Sequence, residues 1–460
     1  MKIKQIIITL FIILVVMFMT SYFFPKEGVH LGNIHIEIPS IEDMFFDKKV
    51  EYANIDNLLK NIDSSKNDTI KVDKNIATRI YKDDVVYIEY PSEDESLLYD
   101  FFEDLEQSNK KTVRVLHYGD SQIEGDRITS YIRNKLQNKF FGTGQGQIPI
   151  FSRSNIANVT YQYSKGWQHY QIISPKKGFH SYGLMMETSV SKTDIFPKPY
   201  MQFDFFKPVN STLTLYCTAL GNGAKINIFT NGELFAEKNI TSQNVNKINL
   251  GKVENIKNLK IETSDSVLFY SLDISEKNGV YVDNISLRGS SGWGFTNGSA
   301  QILSKMADKS NMNVKLIIMQ FGVNAIPKEE KKVLSNYDYF KTTYSKQLAF
   351  LRKAIPNAAI IVIGSSDRSI KKGTSYITNP NVPKLILAQR QAAKENGCMF
   401  WDLFSAMGGE NSMPSWVLRD KPLANTDFIH FNHRGAEYVA ELLYKALQEE
   451  YIEYKRIKNK

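Results

Sequence analysis

The chain has 460 residues, 42% of them apolar and 23% charged, with a formal net charge of +8. That length admits two or three domains and that apolar content a buried core, which excludes a disordered chain. The positive charge is scattered: its densest runs, KEEKK at 328–332 and YKRIKNK at 454–460, have no nucleic-acid motif beside them, so no nucleic-acid partner is expected.

The first predicted element is IIITLFIILVVMFMTSYFF, residues 6–24, close to the ~20 residues that span a bilayer. Lys2 and Lys4 precede it, which puts the N-terminus in the cytoplasm and the rest outside. No small-x-small cleavage site follows, so residues 1–24 read as a cytoplasmic stub and signal anchor in preference to a cleaved signal. Residues 25–110 read as a stalk with a short helix near 54–62. A lead-in helix closes it, with Leu97, Leu98, Phe101, Phe102 and Leu105 on one face.

Residues 111–150 then give strand, turn and helix. Further apolar runs, KLIIMQFG (315–322), AIIVIGSS (359–366) and CMFWDL (398–403), alternate with helical stretches such as 339–355 and 383–396. Strands that are apolar throughout, separated by helices, predict a parallel sheet covered on both faces. A last helix is expected over 435–451 and a basic tail over 451–460. Residues 151–285 break that rhythm with alternating patterns, and Asn231-Gly232 between two of them is a hairpin signal. They read as a β-sandwich inserted into an α/β domain made of 111–150 and 286–450.

In HYGDSQIEGDRIT, residues 117–129, the strand VRVL (113–116) is broken by Gly119, Asp120 and Ser121, and a helix is expected to start at once. Such a turn exposes a hydroxyl at the carboxyl end of a parallel sheet and aims helix N–H groups at it. A serine nucleophile needs a base. NTDFIHFNHRG (425–435) offers Asp427 and His430 at a spacing that lets the carboxylate fix the imidazole tautomer. His433 is the rival base, without a carboxylate three residues before it. GSSGWG (289–294) and FGVNA (321–325) each follow strand-like runs and offer a backbone N–H and the Asn324 amide to a developing oxyanion. Taken singly, each fragment also reads as an ordinary loop or cap.

Asp120, Gln122 and Trp293 are candidates to line the substrate site, while Trp167, Trp401 and Trp416 read as core. Cys217 and Cys398 have no spacing that argues for pairing and read as buried thiols. Nothing has metal-ligand spacing, so neither metal nor cofactor is expected.

The order Ser, Gly, Asn, Asp-x-x-His along one α/β chain resembles the SGNH (GDSL-type) hydrolases. The resemblance covers about 111–150 and 286–450. It implies a flavodoxin-like, three-layer domain in which Ser121, Asp427 and His430 are catalytic. It also implies an oxyanion hole of Ser121, Gly292 and Asn324, with Gly289 as the fallback glycine. GDSQ lacks the Leu that often follows the serine, and Ala325 stands where the family often has Asp or Glu, which puts a supporting contact in doubt.

A β-module between the first two blocks, behind a membrane signal, is similar to the peptidoglycan O-acetylesterase branch. That implies a serine-dependent carbohydrate O-acetylesterase acting on exported glycan, O-acetylated peptidoglycan included. The same triad would serve a glycan O-acetyltransferase, and a non-catalytic glycan-binding protein is the third reading. The inserted module would be carbohydrate-binding-like, its ligand unnamed. The Lys- and Asn-rich composition points to an AT-rich bacterial genome, which with the N-terminal anchor gives a single-pass inner-membrane protein of the cell envelope, its body periplasmic or extracellular. The sequence names no protein partner.

Overall fold

The apolar runs become the centre of a parallel sheet. The computed structural model describes residues 3–24, 29–31, 34–36, 50–65, 81–152, 156, 158–192, 197–241, 245–263, 265–327 and 332–459. The expected stalk and the KEEKK run fall partly outside the described residues.

The chain divides into two units. The first, residues 1–51 with 372–376, holds α1 (Ile3–Phe23) and a two-stranded antiparallel ribbon, Val29–Leu31 with Ile34–Ile36. Among the described residues, α1 is the one helix long and apolar enough to cross a membrane.

In the second unit the parallel sheet comprises β1 (Thr112–Gly119), β2 (Gly279–Ser286), β3 (Val314–Gln320), β4 (Ala359–Ile363) and β5 (Met399–Trp401). Their spatial order is β2-β1-β3-β4-β5, the flavodoxin-like arrangement, whose switch point lies between β1 and β3. Gly119 stands opposite Ser286 on one side and Gln320 on the other, and Gln320 opposite Ile363. Four strands therefore end level, and the loops leaving them meet at one edge.

Leu116, Tyr118, Ile317 and Met319 face one core. It is shared with α4 (Ala300–Ala307), α5 (Asp338–Ala354) and α6 (Asn381–Glu395). On the opposite face α3 (Thr129–Lys139) lies on β2 and packs against α7 (His433–Lys458). The lead-in helix, α2 (Tyr99–Glu106), is part of this domain. Leu98, Phe101, Phe102 and Leu105 are buried, and Phe102 meets Tyr451 of α7 edge-on at 5.5 Å. This also corrects the expected tail. Helix α7 continues to Lys458 because Tyr454 is buried against Phe102 and Lys455 bonds Glu106 at 2.6 Å.

The β-module is built on two long strands, Tyr200–Ala219 and Asn246–Thr263, which form one antiparallel ladder with register shifts at Asn249/Gly251 and between Val253 and Asn258. The first borders Val159–Tyr163 along Met201–Phe205, and Val267–Ile274 along Leu213–Ala219. Phe203, Ile226 and Leu259 from one half join Leu215, Phe269 and Leu272 from the other in a single core. The module's strands form one nine-stranded sheet around that core, with the two long strands at its centre. Asn231 (φ 49) and Gly232 (φ 89) make the hairpin between Ala224–Thr230 and Glu233–Ile240, as a type I′ turn requires.

The module's boundaries differ from the alternation pattern. Gly279–Ser286 belongs to the parallel sheet, and Gly146–Ile148 pairs with the module strand Val267–Ile274. The polar residues of β2 mimic a half-exposed strand, but Asp283 is fully buried in an ion pair. Arg114 Nη1 reaches both Asp283 oxygens at 2.8 and 2.9 Å, and Nη2 reaches both of Asp273 at 3.0 and 2.8 Å. This buried triad ties β1 and β2 to the module. Cys217 and Cys398 are free and buried.

Candidate active site

Ser121 leaves the end of β1 in a turn fastened on both sides. Leu287 N–H donates to the Gly119 carbonyl at 2.7 Å, and the Ser286 hydroxyl to the Asp120 carbonyl at 3.0 Å. The expected immediate helix is absent. Gly125 (φ 72) and Asp126 (φ 62) adopt left-handed backbone, and α3 starts only at Thr129. The N-terminus of α3 therefore does not serve Ser121. Asp126 is spent instead on a two-pronged pair with Arg133 at 2.7 and 3.0 Å.

The other partners come from the loop before α7. Asn432 caps that helix through Gly435 N–H at 3.0 Å, and a Cβ on Gly435 would lie 1.8 Å from the Leu423 carbonyl oxygen, so only glycine fits. Just upstream, Asp427 Oδ1 accepts the backbone N–H groups of Ile429 and His430, each at 3.0 Å. Its Oδ2 lies 2.7 Å from His430 Nδ1, and His430 Nε2 lies 2.9 Å from Ser121 Oγ. Partial burial pushes the Asp427 carboxyl upward, but the His430 and Ile429 N–H groups and the imidazole outweigh it and hold it below its ordinary range. His433 is exposed on the first turn of α7.

Asn324 follows β3 at the same edge. Its amide donates to Asp120 Oδ2 at 3.1 Å and to the Ser290 carbonyl at 3.0 Å. Burial drives the Asp120 carboxyl up to about 7, against bonds from the Gln122 N–H and the Asn324 amide.

The two glycines of GSSGWG differ. Gly292 donates its N–H to Ser290 Oγ at 3.0 Å and sits at φ 88 facing the interior, where a Cβ would come 2.6 Å from Tyr344. Its donor is engaged by that hydroxyl, as the Asn324 amide is engaged by Asp120 and Ser290. Gly289 (φ 79) is exposed, has open space around it, and makes no described hydrogen bond through its N–H.

Asp120 and Gln122 are buried and do not line an open site. Gln122 works as a clamp instead, donating to the Ile429 carbonyl at 2.8 Å and accepting Phe431 N–H at 3.2 Å. Trp293 is half-buried against Phe340 and the edge of Tyr339. Trp401 and Trp416 are fully buried, as expected of core residues. Sequence reasoning passed over Arg127, which donates to the Ser121 and Phe431 carbonyls at 2.7 Å each and to that of Glu124 at 2.8 Å. It joins the Ser121 turn to the His430 loop. Its only sequence signal is its closeness to Ser121, and an Arg near a helix start normally reads as surface.

Residues 264–438 match the GDSL-like lipase/acylhydrolase family. The match starts beyond most of the inserted module, so it holds Gly289, Asn324, Asp427 and His430 but not Ser121. No curated protein matches the chain by sequence. A solved structure described as a peptidoglycan O-acetylesterase in action has a TM-score of 0.63 at 19% identity, covering 79% of this chain and 98% of its own. A family two carbohydrate esterase from Cellvibrio japonicus has a TM-score of 0.26 at 10% identity, covering 65% of this chain and 99% of its own. The first of these likenesses establishes a shared fold.

Proposed function

We propose that the chain, whose residues 264–438 match the GDSL-like lipase/acylhydrolase family, carries an SGNH-type ester hydrolase domain and is a serine-dependent O-acetylesterase of exported glycan, with O-acetylated peptidoglycan as a substrate. The observation that carries the chemistry is the hydrogen-bonded line from Ser121 Oγ through His430 to Asp427, at 2.9 and 2.7 Å. The neighbour described as a peptidoglycan O-acetylesterase supports the choice of ester.

In this reading Ser121 Oγ attacks the acetyl carbonyl carbon while His430 Nε2 takes its proton. Asp427 keeps the other imidazole proton on Nδ1, leaving Nε2 free as the base, and stabilises the imidazolium that forms. The tetrahedral oxyanion is held by the Ser121 and Gly289 N–H groups and by Asn324. A full negative charge outcompetes the neutral Ser290 carbonyl for an Asn324 proton. The carbon–oxygen bond to the sugar then breaks, and His430 returns its proton to the leaving hydroxyl. Water, activated by the same imidazole, attacks the acetyl-enzyme and releases acetate and free Ser121. Arg127 and Gln122 keep the two loops in register. Helix α1 anchors the chain in a membrane with the catalytic domain outside the cytoplasm.

Acetate release by the full chain in detergent, against its Ser121→Ala variant, tests the reading. The substrates are an aryl acetate and O-acetylated peptidoglycan, with and without an acceptor glycan. Release abolished by the substitution is expected. Transfer to the acceptor moves the reading to an O-acetyltransferase, and a folded wild type that releases no acetate overturns it in favour of a binding protein.

A further inference from the structure

The turn that carries Asp427 and His430 contains a backbone conformation that its own sequence does not favour. Phe428, the residue after Asp427, sits at φ 56, in the left-handed region. There a Cβ crowds the following carbonyl oxygen, a cost that glycine escapes and that Asn and Asp tolerate best. The other described non-glycine residues at positive φ are Asp126, Met186 and asparagines, so an aromatic side chain in this conformation needs a reason.

That dihedral decides where the triad acid points. It is the rotation between Asp427 and the residues that follow, so turning it to the ordinary right-handed value of about −60° swings the Ile429 and His430 N–H groups away from Asp427. In the folded chain both N–H groups meet Asp427 Oδ1 at 3.0 Å, and Oδ2 is left to face His430 Nδ1 at 2.7 Å. The turn is held from outside. Phe428 is buried, its N–H donates to the Asn425 carbonyl at 3.0 Å, and its carbonyl accepts the Ser369 N–H at 3.1 Å. Ser369 lies beyond β4, in a segment that is itself fixed. Asn379 N–H donates to the Arg368 carbonyl at 2.8 Å, and the Thr378 hydroxyl to buried Asp367 at 2.8 Å.

We propose that Phe428 is a positioning residue of the triad: its buried ring and the bond from Ser369 hold the left-handed turn that presents Asp427 to His430. The proposal rests on the O-acetylesterase reading and deepens it, naming what aligns the acid with the base. Burial of the ring offsets what the backbone conformation costs. An alanine there keeps the cost and loses the offset, so the turn relaxes toward right-handed backbone and Asp427 leaves the imidazole.

Phe428→Ala and Phe428→Gly in the full chain test this, because both lose the ring and only Gly takes the left-handed backbone freely. Three readouts are compared with wild type: aryl acetate kcat and KM, circular dichroism for folding, and the proton NMR resonance of His430 Nδ1–H, which lies far downfield while that proton is shared with Asp427. The Ala variant is expected to lose about tenfold in kcat, with KM within about twofold, and to lose the resonance. The Gly variant is expected to recover kcat to within about threefold of wild type and to keep the resonance. A ring that only fills the interior would make the two variants equally slow, and that result, or an Ala variant at wild-type kcat, overturns the proposal. Should the Ala variant fail to fold, the Gly variant decides alone: near wild type it upholds the proposal, and folded but slowed by more than about tenfold it overturns it. If wild type itself releases no acetate, the esterase reading falls, and the resonance decides the positioning by the same comparison.

Discussion

Replacing Asp427 by Asn separates two tasks of one carboxylate. Oδ1 accepts the Ile429 and His430 N–H groups, and an Asn carbonyl oxygen keeps both bonds. The side-chain amide then faces His430 Nδ1 as a donor where Oδ2 was an acceptor at 2.7 Å. Nδ1 must accept, the imidazole proton moves to Nε2, and that nitrogen can no longer take the proton of Ser121. In a buried triad the same change costs ~10⁴ in kcat. Here the Asp427 side chain is 44% exposed and that of His430 32%, so water competes for Nδ1. The expected loss is about 10³, or ~4 kcal/mol.

The same exposure predicts an inverted order for Asp427→Ala. With no amide in the way, water can accept the Nδ1 proton, the productive tautomer survives, and the loss falls to ~10². Aryl acetate kcat near neutral pH, with circular dichroism to check folding, decides the matter. An Ala variant as slow as the Asn variant would refute the tautomer argument and leave Asp427 as an anchor of its turn.

Asn324→Ala removes one oxyanion donor and is expected to lower kcat by ~10² with KM little changed; a loss under about threefold would remove Asn324 from the oxyanion hole. Arg114→Met strands Asp273 and Asp283 in the interior and is expected to cost ~3–5 kcal/mol in urea unfolding, with partial recovery when both aspartates are also changed to Asn; an unaffected midpoint would mean the triad does not hold the module. Asp120 has a folded-state pKa of about 7, raised from ~3.9 when unfolded. Its protonation therefore stabilises the fold fully below about pH 4, and that contribution is lost as pH rises to about 7. The stability of Asp120→Asn relative to wild type should climb by up to ~4 kcal/mol across that window, and a flat difference between the two pH profiles would contradict the buried, protonatable carboxyl.

How far the sequence carried depends on whether a feature is local. β1, β3, β4 and β5 were legible because each is an apolar run, and the spacing of Asp427 and His430 was legible because both lie in one short turn. β2 was legible as a strand-like run but was left inside the inserted module, because its place beside β1 depends on pairing with a strand far away in sequence, as does the contact of Asp283 with Arg114. The delayed start of α3 had a local signal in Gly125-Asp126, overlooked because the serine turn invited a helix directly behind it.

The choice between Gly289 and Gly292 shows where pattern reading ends. The run GSSGWG offers both, and the two differ only in what their N–H groups and Cα atoms meet in three dimensions. Gly292 is turned toward Tyr344 and bonded by Ser290 of its own loop, whereas Gly289 is left open. A motif can name the groups that break an ester. How the inserted module sits on the sheet is a matter of contacts such as the buried Arg114 triad, which no motif records.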